Sequence, residues 1–217
     1  MITTLLFDLG GTLQTVKHVP DADLRFADRL IRRLRDYDIE LDTTAEALRD
    51  SLRENGEAYK HRGERDLTEL PQEIIWNDYY LREYQIGRDK LEPIAEELSF
   101  LYDYERPCVM RRPYLKETME ELQAMGLRLG VISNIISRSV VQHFLAEYDI
   151  DRYMDCVITS AATGIRKPSP EIFRVAERTL GLKPEELAYV GDTISRDVRG
   201  TRNAGWHTMI RIREPNT

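Results

Sequence analysis

A chain of 217 residues, 41% hydrophobic and 32% charged with a formal net charge of −7, can bury a sizeable core as one large or two small units. The acidic balance leaves no electrostatic footprint for nucleic acid, and no apolar run approaches a membrane span, so neither nucleic acid nor membrane is an expected partner. Two cysteines without metal-ligand spacing, Cys108 and Cys156, and an N-terminus lacking a signal peptide's basic and apolar regions point to a reducing, cytoplasmic setting.

Residues 4–7 are apolar or β-branched and run into Asp8, Gly10-Gly11 and Thr12. This reads as a buried parallel strand that delivers Asp8 to the carboxyl edge of a sheet, where open α/β sheets bind ligands. A charge there is costly to desolvate unless a cation or several hydrogen bonds meet it. From about residue 21 to 103 the pattern is helical. Leu24, Ala27, Leu30, Ile31 and Leu34 keep one face apolar behind a cap at Asp21 or Asp23, and a second helix starts at Thr43 or Thr44. A third follows Pro71 through Ile86, and a fourth runs from Asp89 to Tyr102. These stripes pack best on one another, with Trp76, Tyr79, Tyr80 and Tyr84 in the core and rim. From residue 112 helix and strand alternate: strands at 127–132, 156–158, 187–190 and 207–212, helices at 113–125, 137–148, from Ser169-Pro170 to Gly181, and up to Asn203. The expected fold is α/β, a doubly wound parallel sheet formed by residues 1–14 and 112–217, with an inserted α-helical cap over 15–111.

Four strand ends then carry pointed residues: Asp8, Ser133, Lys167 and the pair Asp192 and Asp197. Each alone has a plain structural explanation, as a turn residue, a solvated lysine or a first-turn helix acid. Their order at consecutive strand ends argues for one site.

With Asp8-Leu9-Gly10-Gly11-Thr12-Leu13, Val131-Ile132-Ser133-Asn134, Lys167-Pro168-Ser169-Pro170 and Val190-Gly191-Asp192 through Asp197, the chain resembles the haloacid dehalogenase superfamily of phosphatases and related hydrolases. The resemblance implies that Asp8 is a nucleophile forming an aspartyl-phosphate, and that Mg²⁺ is held by Asp8, the Gly10 carbonyl and Asp192. Asp197 would support the metal or orient Lys167. Lys167, Ser133 and the loop amides would stabilise the transferring phosphoryl group, and Thr12 would fix the loop. The substrate would be a small phosphorylated metabolite, and the protein a monomer or homodimer.

One position departs from the pattern. Two residues past the nucleophile, where these phosphatases usually carry an aspartate as general acid, stands Gly10. A positioned acid contributes roughly 10²–10⁴-fold, so the leaving group needs another proton source. His18 is one candidate. Lys60 is another, or an imine-forming lysine in a phosphonate-cleaving variant. By the resemblance to small-cap members, the turn between the second and third insert helices, expected at 59–66 with Lys60, Arg62 and Arg65, would overhang the site. It is locally basic, which suits an anionic substrate read alongside Asn134. Dehalogenation fits less well, because the fourth motif has the metal-binding form. A weakened member that only binds a phosphorylated ligand or partner is the reading from another class, and Gly10 is the feature in its favour.

Overall fold

Five short apolar segments form the sheet, and their alternation dictates its two faces. In the computed structural model, which describes residues 1–17 and 19–213, these are β1 (Thr4–Phe7), β4 (Arg128–Ser133), β5 (Met154–Thr159), β6 (Leu187–Gly191) and β7 (Thr208–Arg211). They lie in the order β5-β4-β1-β6-β7, every pair parallel. Leu5, Phe7, Leu129 and Val131 point to one face, where Phe144 and Leu145 of α7 (Val140–Glu147) and Met119 of α6 (Leu115–Ala124) cover them. Leu6, Ile132 and Tyr189 point to the other, against Phe173 of α9 (Pro170–Leu180) and Trp206. The fold is thus the expected doubly wound α/β type, with β1 central at the switch point. The register pairs Phe7 with both Val131 and Val190. Asp8, Ser133 and Asp192 therefore emerge at one edge.

The turn chemistry follows the sequence closely in this half. Ser169 caps α9, its hydroxyl accepting from the Glu171 N–H, and Pro170 occupies the first turn. Gly126, Gly181 and Gly205 end α6, α9 and α10 (Arg199–Ala204) with positive φ. A short helical turn, α8 (Ser160–Thr163), follows β5 directly, before the loop that carries Lys167.

Between the two short strands β2 (Gln14–Lys17) and β3 (Cys108–Arg111), which pair antiparallel, the chain is helical. Its long members are α1 (Ala22–Arg35), α2 (Ala45–Asp66), capped by Thr44, and α5 (Ala95–Glu105). The remaining helices are more broken than the periodicity predicts. The third is a short α3 (Gln72–Ile75) continuing into a wide turn over Trp76–Tyr80. The fourth breaks between α4 (Arg88–Leu91) and α5, where Pro93 lacks the N–H that a continuous ladder needs. Phe26, Leu30, Leu34, Leu48, Leu52, Ile75, Trp76 and Leu98 form a second core here.

Carboxylates join this helical segment to the sheet half. Glu96, at the start of α5, accepts from the Ser137 hydroxyl at 2.8 Å, the Ser139 hydroxyl at 2.7 Å and the N–H groups of Arg138 and Ser139. One turn from the other end of α5, Asp103 accepts from the N–H groups of Ile136 at 3.0 Å and Ser137 at 2.8 Å. These contacts occupy the loop before α7, which is why α7 begins at Val140 rather than near Ser137. Burial pushes the Asp103 carboxyl up to about 7 against the pull of those two amides. A folded-state value above the unfolded 3.8 means that the native state holds the proton longer. Its contribution is full below about pH 4, declines to about pH 7 and is flat above. Asp103→Asn, whose amide oxygen can still accept, removes that slope. Its stability relative to the parent should rise from pH 4 to 7, by up to ~4 kcal/mol for three pKa units, as read by urea unfolding across pH. A parallel pair of pH–stability curves would show that Asp103 does not titrate in this way.

Candidate active site

The loop after β1 is shaped by Gly11. It has φ of +75°, and a Cβ built on it would meet Asp192 Oδ2 at 2.5 Å, so no side chain fits between these two loops. Gly10 differs: it lacks a positive φ, and a Cβ there meets nothing within 4 Å. Arg112 clamps the loop from outside, its Nε donating to the Thr12 carbonyl at 2.7 Å and Nη2 to that of Gly11 at 2.6 Å. The Thr12 hydroxyl is buried without a hydrogen-bond partner among the described residues, so it does not hold the loop as expected.

Lys167 is the hub. Its Nζ lies 2.9 Å from Asp8 Oδ1 and 2.7 Å from Asp197 Oδ1, and donates to the Tyr189 hydroxyl at 2.7 Å. Tyr189 in turn donates to the Ile132 carbonyl at 2.8 Å. The loop carrying Lys167 is pinned by Asn134, whose amide spans the Lys167 N–H and carbonyl at 2.8 and 2.9 Å. Both polar atoms of that side chain are thus engaged in shaping the loop. Ser133 is buried at the end of β4, beside Thr159.

Asp8 Oδ1 also accepts from the Leu9 N–H at 2.8 Å. Burial raises the Asp8 carboxyl above its usual range, with Lys167 pulling down and Asp197 pushing up. At Asp197 burial also works upward, but Lys167 and the Thr193 N–H, 2.9 Å from Oδ2, hold it below the usual value. Asp8, Asp192 and Asp197 each offer an oxygen within 4.8 Å of the others, and Asp192 Oδ2 is buried with no hydrogen-bond partner among the described residues.

The expected recognition turn is a correction. Residues 59–66 are the last turns of α2, not a loop, because Gly63 is a packing glycine: a Cβ there would meet Arg166 Nε at 2.9 Å. The connection begins at Leu67, which has φ of 56°. It lies on the catalytic loop, with Arg166 N–H donating to the Leu67 carbonyl at 3.0 Å and Glu69 N–H to that of Gly164 at 2.9 Å. Arg62 is held by Thr68 and Asp66, and the exposed Arg65 by Asp66. Lys60 faces Glu57 at 3.6 Å at the edge of a cleft. His18 lies outside the described residues.

Sequence reasoning missed Glu69, a buried carboxylate that pairs with Arg166 and accepts from the Tyr59 hydroxyl and from Ser160 Oγ. Nothing in its sequence neighbourhood marks it, since its partners lie up to 97 residues away.

A sheet-edge carboxylate backed by a buried lysine and two further acids defines an enzyme of the α/β class. The chain belongs to the haloacid dehalogenase-like hydrolases, whose family model matches residues 2–205. It is 31% identical over 215 residues to a glyceraldehyde 3-phosphate phosphatase of Methanopyrus kandleri, covering 98% of this chain and 84% of that one. It is 28% identical to human haloacid dehalogenase-like hydrolase domain-containing protein 3, covering 96% and 81%. A haloacid dehalogenase phosphatase structure from Thermococcus onnurineus shares the fold, with a TM-score of 0.61 at 23% identity, covering 100% of this chain and 88% of that one.

Removing the partner of a buried ion costs about 3–5 kcal/mol, whereas an exposed surface change stays within ~0.5 kcal/mol. Glu69→Ala, which strands an Arg166 only 12% exposed, should therefore lower the melting temperature by several degrees or more, and Arg65→Ala by almost nothing. Equal shifts would mean that the Glu69–Arg166 pair does not anchor this connection.

Proposed function

We propose that the protein is a Mg²⁺-dependent phosphomonoester hydrolase acting on a small phosphorylated metabolite through an aspartyl-phosphate on Asp8. The reading is carried by the Lys167 bridge between Asp8 and Asp197, with Asp192 Oδ2 left unpaired beside them. Three carboxylates against the Lys167 ammonium, even with Arg196 felt at two of them, leave the cluster net negative, which disfavours a phosphate dianion unless a cation joins it. The donors are hard oxygens, the kind Mg²⁺ takes. Asp8, Asp192 and the Gly10 carbonyl would hold it, with Asp197 in support. When bound, the ion would offset the repulsion between carboxylate and phosphate.

The rest is work for the chain's own groups. Asp8 Oδ1 is engaged by Leu9 and Lys167, which leaves Oδ2 to attack phosphorus. The bond to the leaving oxygen breaks, and that oxygen takes the electron pair and then a proton. Lys167 balances charge on the phosphoryl oxygens, and Ser133 and the amides after Asp8 donate to them. Water then attacks the phosphoryl-enzyme, releasing phosphate and restoring the carboxylate. The relatives named glyceraldehyde 3-phosphate phosphatase support a small three-carbon substrate class.

Asp192→Asn should weaken Mg²⁺ binding by calorimetry and abolish nearly all turnover of an activated aryl phosphate, with the melting temperature little changed. Normal metal-dependent turnover in that variant would refute the metal assignment. Binding of phosphorylated ligands by the parent without any turnover would favour the non-catalytic reading.

With no side-chain acid at residue 10, rates should fall steeply as leaving-group pKa rises. Open space at Gly10 lets Gly10→Asp place a carboxyl there without a clash at Cβ. Turnover of alkyl phosphates should then rise selectively, by up to roughly 10²–10⁴-fold. The check is the slope of log rate against leaving-group pKa in both proteins, and a shallow slope in the parent would reveal another acid.

A further inference from the structure

A cavity of about 320 Å³ adjoins the catalytic cluster, between α2, α5 and the catalytic loops. Its sheet-side wall includes Asn134, Arg166 and Arg196, the chain neighbours of Ser133, Lys167 and Asp197, which sets it beside the catalytic loops. Ligand sites run from about 300 to 1,000 Å³, which makes this one suited to a few carbons.

Six cations line it: Arg49, Arg53, Lys60 and Arg106 from the helical segment, Arg166 and Arg196 from the sheet side. Five of them meet an acid. Arg49 and Arg53 share Asp50 at 2.9 and 3.3 Å, Lys60 faces Glu57 at 3.6 Å, Arg166 is paired with Glu69, and Arg106 faces the exposed Asp23 at 3.6 Å from Nη1. Arg106 and Arg196 stand apart for other reasons. Arg106 also lies in the field of Asp103, yet its Nε is buried without a hydrogen-bond partner among the described residues. Its guanidinium is fixed over the Tyr102 ring, 4.4 Å from the centroid. The adjacent Asp103 directs an oxygen to the backbone of Ile136 and Ser137. Arg196 donates to Thr193 Oγ1 at 3.1 Å and makes no ion pair among the described residues, yet its charge is felt at both Asp8 and Asp197.

An oriented guanidinium with an unmet buried donor is costly in the free protein and favours a planar or tetrahedral oxyanion. We propose that Arg106, with Arg196 on the facing wall, binds a second anionic group of the substrate, so that the natural substrate is a small phosphomonoester that also carries a carboxylate or a second phosphate. This deepens the phosphatase reading and rests on it. It also separates this chain from relatives named for an aldehyde substrate.

Three compounds on one carbon frame provide the test: 3-phosphoglycerate, glyceraldehyde 3-phosphate and glycerol 3-phosphate differ at carbon 1 as carboxylate, aldehyde and hydroxymethyl. Glycerol 1,3-bisphosphate supplies the second phosphate. At least one of the two anionic compounds should exceed glycerol 3-phosphate in kcat/KM by 10-fold or more, and which one does so identifies the second anion. Arg106→Gln should bring that ratio close to one, mainly through KM for the anionic substrate, and Arg106→Lys should retain part of it. Parity in the parent protein, or an equal loss on every substrate in Arg106→Gln, would overturn the proposal. The same four ligands titrated calorimetrically into Asp8→Asn protein report the preference without turnover. A protein inert as an enzyme that still binds an anionic ligand 10-fold tighter keeps this inference and refutes the phosphatase; equal binding refutes the inference whatever the turnover.

Discussion

The buried ammonium of Lys167 is the constraint on which the site depends. Its three protons meet three acceptors, on Asp8, Asp197 and Tyr189, brought together from the end of β1, the turn after β6 and the middle of β6. Taking such charges out of water costs several kcal/mol per ion, recovered only where geometry and hydrogen bonding are complete. The fold supplies that completeness. Parallel strands in register place Asp8 and Asp192 side by side, Asn134 fixes the lysine's loop, and Tyr189 passes the chain of hydrogen bonds on to the Ile132 carbonyl. Losing Asp8 or Asp197 leaves the ammonium short of a carboxylate, and losing Asn134 or Tyr189 loosens the loop or the acceptor that holds it in place.

A second layer of carboxylates does for the helical segment what Lys167 does for the site. Glu96 and Asp103 of α5 take up backbone donors of residues 136–139, and Glu69 takes Arg166 and Ser160. Every one of these partners sits within a few residues of Ser133 or Lys167, or on α8 just before the lysine's loop. The helical segment is therefore docked on the loops that carry the chemistry and, through Phe100 and Tyr104 of α5, on Phe144 of α7 as well. Ile136, from the loop after Ser133, completes the helical core. Any shift of α5 relative to the sheet must move the backbone beside Ser133, which couples the walls of the cleft to the catalytic groups.

The parts legible in the sequence were those whose signals are local. Asp8, Ser133 and Asp192 stand at strand ends marked by apolar runs and glycines, Lys167 and Asp197 lie in the segments that follow β5 and β6, and Ser169-Pro170 and Gly181 mark the limits of α9. The parts missed depend on distant partners. β2 and β3 are four-residue strands of mixed polarity that exist by pairing with each other across nearly a hundred residues. The turn expected at 59–66 rests on the resemblance to small-cap members, and α2 instead runs through it although Gly63 ordinarily weakens a helix by about 1 kcal/mol. Tertiary packing overrides that cost, as Arg166 fills the space a side chain would take. Asp103, Arg106 and Glu69 look like ordinary helix and loop charges until the sheet half is placed against them.

The adjacent glycines after the nucleophile are glycine for different reasons. Gly11 is required by the backbone: its φ is positive and Asp192 occupies the place of a Cβ. Gly10 is under neither constraint, since its φ is ordinary and the space around it is open. The fold therefore does not dictate the missing acid. The bare backbone at residue 10 leaves open space beside the nucleophile's loop, and the charge of Arg196 reaches Asp8. A leaving group that carries its own anion, held by guanidinium groups, departs into a positive field that stabilises the charge developing on its oxygen. Part of what proton donation supplies elsewhere can thus come from electrostatics here. An arginine whose buried Nε waits for an acceptor and a nucleophile loop that lacks an acid would in that case answer the same need.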